Sequence, residues 1–142
     1  MTLSRKTALG VLAAAAVALS TGGMGVANAA GDMFGTYAVT VIGDNWHIAY
    51  SVNAGEQSTA DADAMNLCGQ ECSIAVRWVN GCAALVDRDG ELYTGVGNSL
   101  VEASRNALIA SGPDPSPLMV NLGSSAPSQA TVLDSRCTAN AG

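Results

Sequence analysis

Four cysteines, one histidine and twelve carboxylates are the residues of this chain best suited to chemistry. Cys68 and Cys72 stand four apart, Cys82 follows, and Cys137 lies near the C-terminus. Thiolates can bind metal, form a redox couple or close disulfides. Cys-x3-Cys is not the usual zinc spacing, and His47 alone leaves a ligand set short. No Cys-x-x-Cys pair is present, which argues against a redox centre. Disulfides remain, and four cysteines allow three pairings. Cys68–Cys72 with Cys82–Cys137 is favoured. The first pair spans a helix exit that Gly69 can turn. The second ties a central strand to the tail. On the chain-entropy argument the long loop is worth about 4 kcal/mol and the short one about 2 kcal/mol.

A Ser-His-Asp or Cys-His mechanism would have to use His47. No serine sits in an elbow motif, and oxidised cysteines are not nucleophiles, so His47 reads as a structural or surface residue. Asp87-x-Asp89-Gly90-Glu91 hints at a calcium loop but lacks the other ligands of an EF-hand; it reads as a hairpin turn. Gly95-x-Gly97 ahead of a helix could hold an anion. Without a third glycine or a following lysine it reads as a turn. Asp61 and Asp63 are two apart on a helix and face different ways. Arg77 and Trp78 alternate to opposite faces of a strand. No catalytic residue, cofactor-binding residue or metal ligand is assigned.

The elements that would carry these residues follow from periodicity. Tyr37–Ile42 and Trp46–Val52 read as a hairpin across Gly43-Asp44-Asn45. Ser58–Cys68 reads as a helix with Ser58 as N-cap, Asp61 in a variant capping box, and an apolar face of Ala60, Ala64, Leu67 and Cys68. Cys72–Val79 and Cys82–Asp87 read as strands joined by the hairpin signal Asn80-Gly81. The second is apolar on both faces and therefore central. Glu91–Val96 is a further strand. Ser99-Leu100-Val101-Glu102 opens a second helix with Ala103, Ala107, Leu108 and Ile109 on its apolar side, ended by Gly112-Pro113. Leu118–Leu122 and Thr131–Leu133 read as short strands, with a small-residue loop at Gly123–Gln129.

Residues 1–29 read as a cleaved signal peptide: Arg5-Lys6, the uncharged apolar run Thr7–Ser20, and Ala27-Asn28-Ala29 before the cut. The remainder, 30–142, reads as one secreted domain, with 30–36 and 123–142 more loosely structured. Its four arginines, no lysine and twelve acids give a formal net charge of −8, against −6 for the whole chain. That charge argues against nucleic acid and anionic lipid as partners. No membrane span is expected once the signal is removed. The fold class expected is α+β: a small disulfide-bonded domain, an antiparallel sheet and two short helices.

The helices align at a constant offset of 43: Ala60, Ala64, Met65, Cys68 and Gly69 match Ala103, Ala107, Leu108, Ser111 and Gly112. Ile48-Ala49-Tyr50 answers Ala83-Ala84-Leu85, and Ile74-Ala75-Val76 answers Met119-Val120-Asn121. The pattern reads as a duplicated strand–helix–strand unit. Ile48-Ala49-Tyr50-Ser51, Ala60–Gly69, Cys72–Val76 and Asn80–Leu85 together resemble a family of small exported actinobacterial proteins classed as a domain of unknown function. The resemblance spans roughly residues 46–122 plus Cys137. The chain departs from the family in lacking a Gly/Trp-rich return strand before the first helix, and in a longer Pro/Ser-rich tail. The resemblance implies secretion and a compact disulfide-bonded fold, and supplies no catalytic residues.

The function expected is an exported, non-enzymatic binding module for a protein partner, without cofactor, directed at the envelope or a host component; target and oligomeric state stay open. A secreted peptidase inhibitor with Gly112–Pro117 as bait is the alternative. A hydrolase using His47 is the third reading.

Overall fold

The computed structural model describes residues 31–118 and 128–142. The expected signal peptide lies outside these residues. So, past Leu118, does the strand expected over Leu118–Leu122, together with most of the Gly123–Gln129 loop.

Phe34–Ile42 (β1) and Asn45–Ala54 (β2) form a hairpin, then come helix α1 (Gln57–Cys68) and strand β3 (Ser73–Val79). Cys82–Arg88 (β4) and Glu91–Gly97 (β5) form a second hairpin, followed by helix α2 (Leu100–Ala110) and strand β6 (Thr131–Cys137). Two three-stranded antiparallel sheets result, ordered β2-β1-β3 and β5-β4-β6. The α+β class is as expected, with two sheets in place of one. Each half has the order hairpin, helix, strand, and its first strand is central. By position β2 therefore answers β5, and β3 answers β6. Ala83-Ala84-Leu85 lies in β4, the counterpart of β1, and does not answer Ile48-Ala49-Tyr50.

Strand alternation sorts the side chains into layers. Tyr37, Val39 and Trp78 of one sheet meet Ala83 and Leu85 of the other in a buried core, flanked by Trp46, Ile48, Tyr50 and Val76. On the opposite faces Ala38 packs on Ala64 of α1, while Cys82, Ala84 and Val86 pack on Ala103 and Ala107 of α2. The order is helix, sheet, sheet, helix. Burying Leu85 or Tyr37 completely contributes about 2–3 kcal/mol each. The Tyr37 hydroxyl also donates to Asp134 on β6 at 3.2 Å, linking the sheets. Burial first, and then the Asp134 carboxylate, push this phenol well above its ordinary pKa.

Several expectations are corrected. Asn80-Gly81 is not a hairpin turn, because β3 and β4 belong to different sheets. Asn80 alone turns through positive φ (49°), and its N–H donates to Met33 O at 2.9 Å. A two-residue hairpin of the favoured type needs positive φ at both positions. Asp89 and Gly90 meet that condition between β4 and β5, with φ of 56° and 81°. The first strand begins at Phe34, inside the arm expected to be loose through residue 36. A Cβ on Gly35 would lie 2.2 Å from the Trp78 ring, so only glycine lets that ring cover β1 there. The tail is likewise anchored: Thr138 N donates to Gly81 O at 2.9 Å, and Ala139 N to Asn53 Oδ1 at 2.6 Å. Ser58 is not the N-cap of α1. Glu56 holds that position without a side-chain cap.

Gly95 and Gly97 are strand residues, not a turn. A Cβ at Gly95 would lie 2.2 Å from Ala107 N and 2.4 Å from Ala103 O. Glycine on the sheet and alanine on the helix bring α2 onto β5, where Asn106 Nδ2 donates to Val96 O at 2.7 Å.

Candidate functional site

Of the three pairings open to the sequence, the structure holds Cys68–Cys72 and Cys82–Cys137, and the described residues include no free cysteine. His47 is exposed on β2 opposite Thr40, its side chain without a hydrogen-bond or ion-pair partner among the described residues. The acidic turn does not converge. Asp87 accepts from Trp46 Nε1 at 2.9 Å, Asp89 from Ser128 N at 3.2 Å, and Glu91 from Tyr93 Oη at 2.8 Å. Hydrogen bonds from Ser128 hold the Asp89 carboxyl below the usual range. Among the described residues no group of three or more His, Cys, Asp or Glu is placed to hold a metal.

Asp61, expected in a capping box with Ser58 and facing away from Asp63, is instead the centre of a polar cluster. Its Oδ1 accepts from Thr36 Oγ1 at 2.7 Å and from Gln57 Nε2 at 3.0 Å. Arg77 Nε donates to Oδ2 at 2.9 Å. Partial burial pushes this carboxyl up, but the Thr36, Arg77 and Gln57 hydrogen bonds outweigh it and hold the pKa below the usual carboxylate value. The cluster pins α1 to the strand pair β1–β3.

The surface most unlike an ordinary solvated face is the outer side of α2. Both ends of the helix are fixed. Ser99 Oγ accepts from Glu102 N at 3.2 Å, and the Glu102 carboxylate accepts from Asn98 N at 2.8 Å, one residue before the usual capping-box partner. At the other end Arg88 reaches across from β4. It donates from Nη1 to Ser111 O (2.7 Å) and Pro113 O (3.0 Å), and from Nη2 to Asp114 Oδ1 (2.5 Å). A cation at a helix C-terminus is also favoured by the helix dipole. Ala103 and Ala107 make the whole buried face of α2. Ile109, expected on the apolar inner side, is 69% exposed, and Val101 is 70% exposed. Alanines in the core leave the larger apolar residues outside.

Two shallow hollows run along this face. One of about 430 Å³ is lined by Leu100, Val101, Ser104, Arg105 and Leu108. The other, about 380 Å³, is lined by Arg105, Leu108, Ile109, Gly112, Pro113 and Asp114. They share Arg105 and Leu108. The sequence carried a signal for this face: Leu100, Val101, Leu108 and Ile109 are too many and too spread for one inward stripe at helical spacing.

A family model described as Domain of unknown function (DUF4189) matches residues 34–112. The match runs from the start of β1 through α2 to the glycine after it. Comparison with curated proteins finds no match, and comparison with solved structures finds none.

Proposed function

We propose that this chain, which belongs to the DUF4189 family, is an exported, non-enzymatic interaction module that binds a protein partner through the outer face of α2. The observation that carries this reading is the pair Val101 and Ile109, each about 70% exposed on a helix fixed at both ends. Large apolar side chains left exposed along one face of a rigid element mark a contact site. Export is supported by the signal-like pattern of residues 1–29 and by the two disulfides, which persist in oxidising compartments. Among the described residues no helix is long and apolar enough to cross a membrane. The shared strand order and the offset of 43 support reading the two halves as copies of one unit.

The test is site-specific photocrosslinking in the producing cells and in candidate host extracts. A photoreactive residue at position 109 forms a discrete adduct. The same residue at position 66, the counterpart on α1, forms none. Adduct from position 66, or none from 109, overturns the reading. His47→Ala leaves the adduct unchanged.

One observation favours the inhibitor reading as a second. The exposed connection Gly112–Pro117 is braced from beneath, because buried Arg88 holds the carbonyl oxygens of Ser111 and Pro113. A pre-organised loop binds at lower entropic cost. Slow-tight inhibition of any member of a peptidase panel, lost in Arg88→Met, would establish this reading over the first.

A further inference from the structure

We infer that the partner of α2 presents a carboxylate flanked by apolar side chains, on an amphipathic helix, and that Arg105 is the residue that selects it. This rests on the proposed binding face and names what that face recognises.

Four arginines lie in the described residues. Arg77 pairs with Asp61, Arg88 with Asp114 and Arg136 with Asp134. Arg105 pairs with no carboxylate of the described residues. Nearby acids are already engaged: Asp114 holds Arg88, and Glu102 accepts from the Asn98 N–H. Arg105 is also the midpoint of the apolar stripe. Val101 and Ile109 lie one turn to either side, and both hollows are lined by it. On α1 the equivalent positions are Ser58, Ala62 and Asn66, all exposed. Helix α1 exposes one large apolar side chain, Leu67, but no cation beside it; apolar groups one turn either side of an arginine occur on the second helix.

Charge decides the chemistry of the occupant. A wholly apolar partner would bury the guanidinium without a counter-ion, which is costly. A basic partner would add repulsion at the centre of the contact. A second copy packed α2 against α2 across a two-fold axis through this point would set Arg105 against Arg105. A carboxylate between apolar side chains meets all three groups at once, and a guanidinium takes it through two parallel hydrogen bonds. A helix laid along α2 supplies apolar groups one turn either side of the acid.

The probes are three synthetic 16-residue helical peptides with one shared Leu/Ala stripe and a central Glu, Gln or Lys. Each is titrated into the oxidised mature protein, with amide shifts followed by NMR. The Glu peptide binds about tenfold more tightly than the Gln peptide, the Lys peptide binds weakest, and the shifts centre on α2. Arg105→Gln brings the Glu peptide down to the affinity of the Gln peptide and leaves the latter unchanged. Equal affinities for Glu and Gln at α2 overturn the carboxylate inference and leave the binding face standing. Absence of shifts on α2 with every peptide overturns both. Self-association of the free protein through α2, seen by sedimentation, also overturns the inference.

Discussion

Each half of the molecule is fastened twice, once where its helix ends and once where its outer strand meets its central strand, and the two halves use opposite chemistry at each place. In the first half the helix exit is closed by Cys68–Cys72, and the strand pair Thr36–Arg77 is bridged by the Asp61 carboxylate. In the second half the corresponding strand pair is Cys82–Cys137, bonded directly, and the helix exit is closed by Arg88 on the carbonyl oxygens of Ser111 and Pro113. Thr36 and Cys82 are equivalent because each opens the helix-facing run of its central strand, ahead of Ala38 and Ala84. On this correspondence, matching positions of the two halves are fastened by different chemistry. What stays constant is the inside, where Ala60 and Ala64 match Ala103 and Ala107, all fully buried. What differs is the outside of the helices, where the second half sets Val101 and Ile109 about Arg105, a cation with no carboxylate partner among the described residues.

If place rather than chemistry determines the fastening, the cost of removing each should follow its physics. The largest effect is expected for Cys82→Ala with Cys137→Ala. That bridge closes a loop with a sequence separation of 55 and constrains the unfolded chain most, so the loss is about 4 kcal/mol; Cys68→Ala with Cys72→Ala costs about 2 kcal/mol. Denaturant titration of the two double variants measures the difference, and a reversed order would break the correspondence. Next comes Gly95→Ala, at about 2–3 kcal/mol, because the new methyl meets the backbone of α2 and must push the helix outward. Thermal unfolding gives the loss, and amide shifts along α2 show the displacement. Arg88→Met follows at about 2 kcal/mol, since the carbonyl oxygens of Ser111 and Pro113 lose their shared donor while the stem still packs. Hydrogen exchange rises at the end of α2 in that variant and not at the end of α1. A rise at both ends would show that the two exits are not independent.

Much of this arrangement was legible because it is local. Alternation located the strands, and the capping residues Ser99 and Glu102 located α2. The apolar run Ala83–Val86 marked β4 as central. What escaped was decided at a distance. Asn80-Gly81 satisfies the chemistry of a hairpin, but β3 pairs with β1 instead of β4, with Trp78 packed over Gly35 and against Tyr37 and Asn80 bonded to Met33. Arg88 was passed over inside an acidic turn. The same alternation that buries Cys82, Ala84 and Val86 against α2 sends Arg88 to that side, beneath the helix exit. The outer face of α2 was hidden by the assumption that large apolar side chains turn inward. Here glycine on β5 and alanine on the helix leave room for neither Val101 nor Ile109 inside.

The smallest expected effect separates the two kinds of fastening by pH. Asp61 is held ionised by Thr36, Arg77 and Gln57, with its pKa below the usual 3.8. A carboxyl whose folded pKa is depressed adds stability above its unfolded pKa and loses it as pH falls through the folded one. The contribution is therefore complete at neutral pH and fades below about pH 4. The Cys82–Cys137 bridge at the equivalent place carries no titrating group. Asp61→Asn keeps an acceptor for Thr36 but gives up the charge facing Arg77, which is half exposed and screened by solvent. At pH 7 the loss should be under about 1 kcal/mol. The sharper readout is the slope: between about pH 4 and pH 2 the stability of the parent protein falls more steeply than that of Asp61→Asn. Parallel acid curves for the two proteins would mean that the carboxylate does not fasten the first half, and the exchange of chemistry between the halves would then fail at this position.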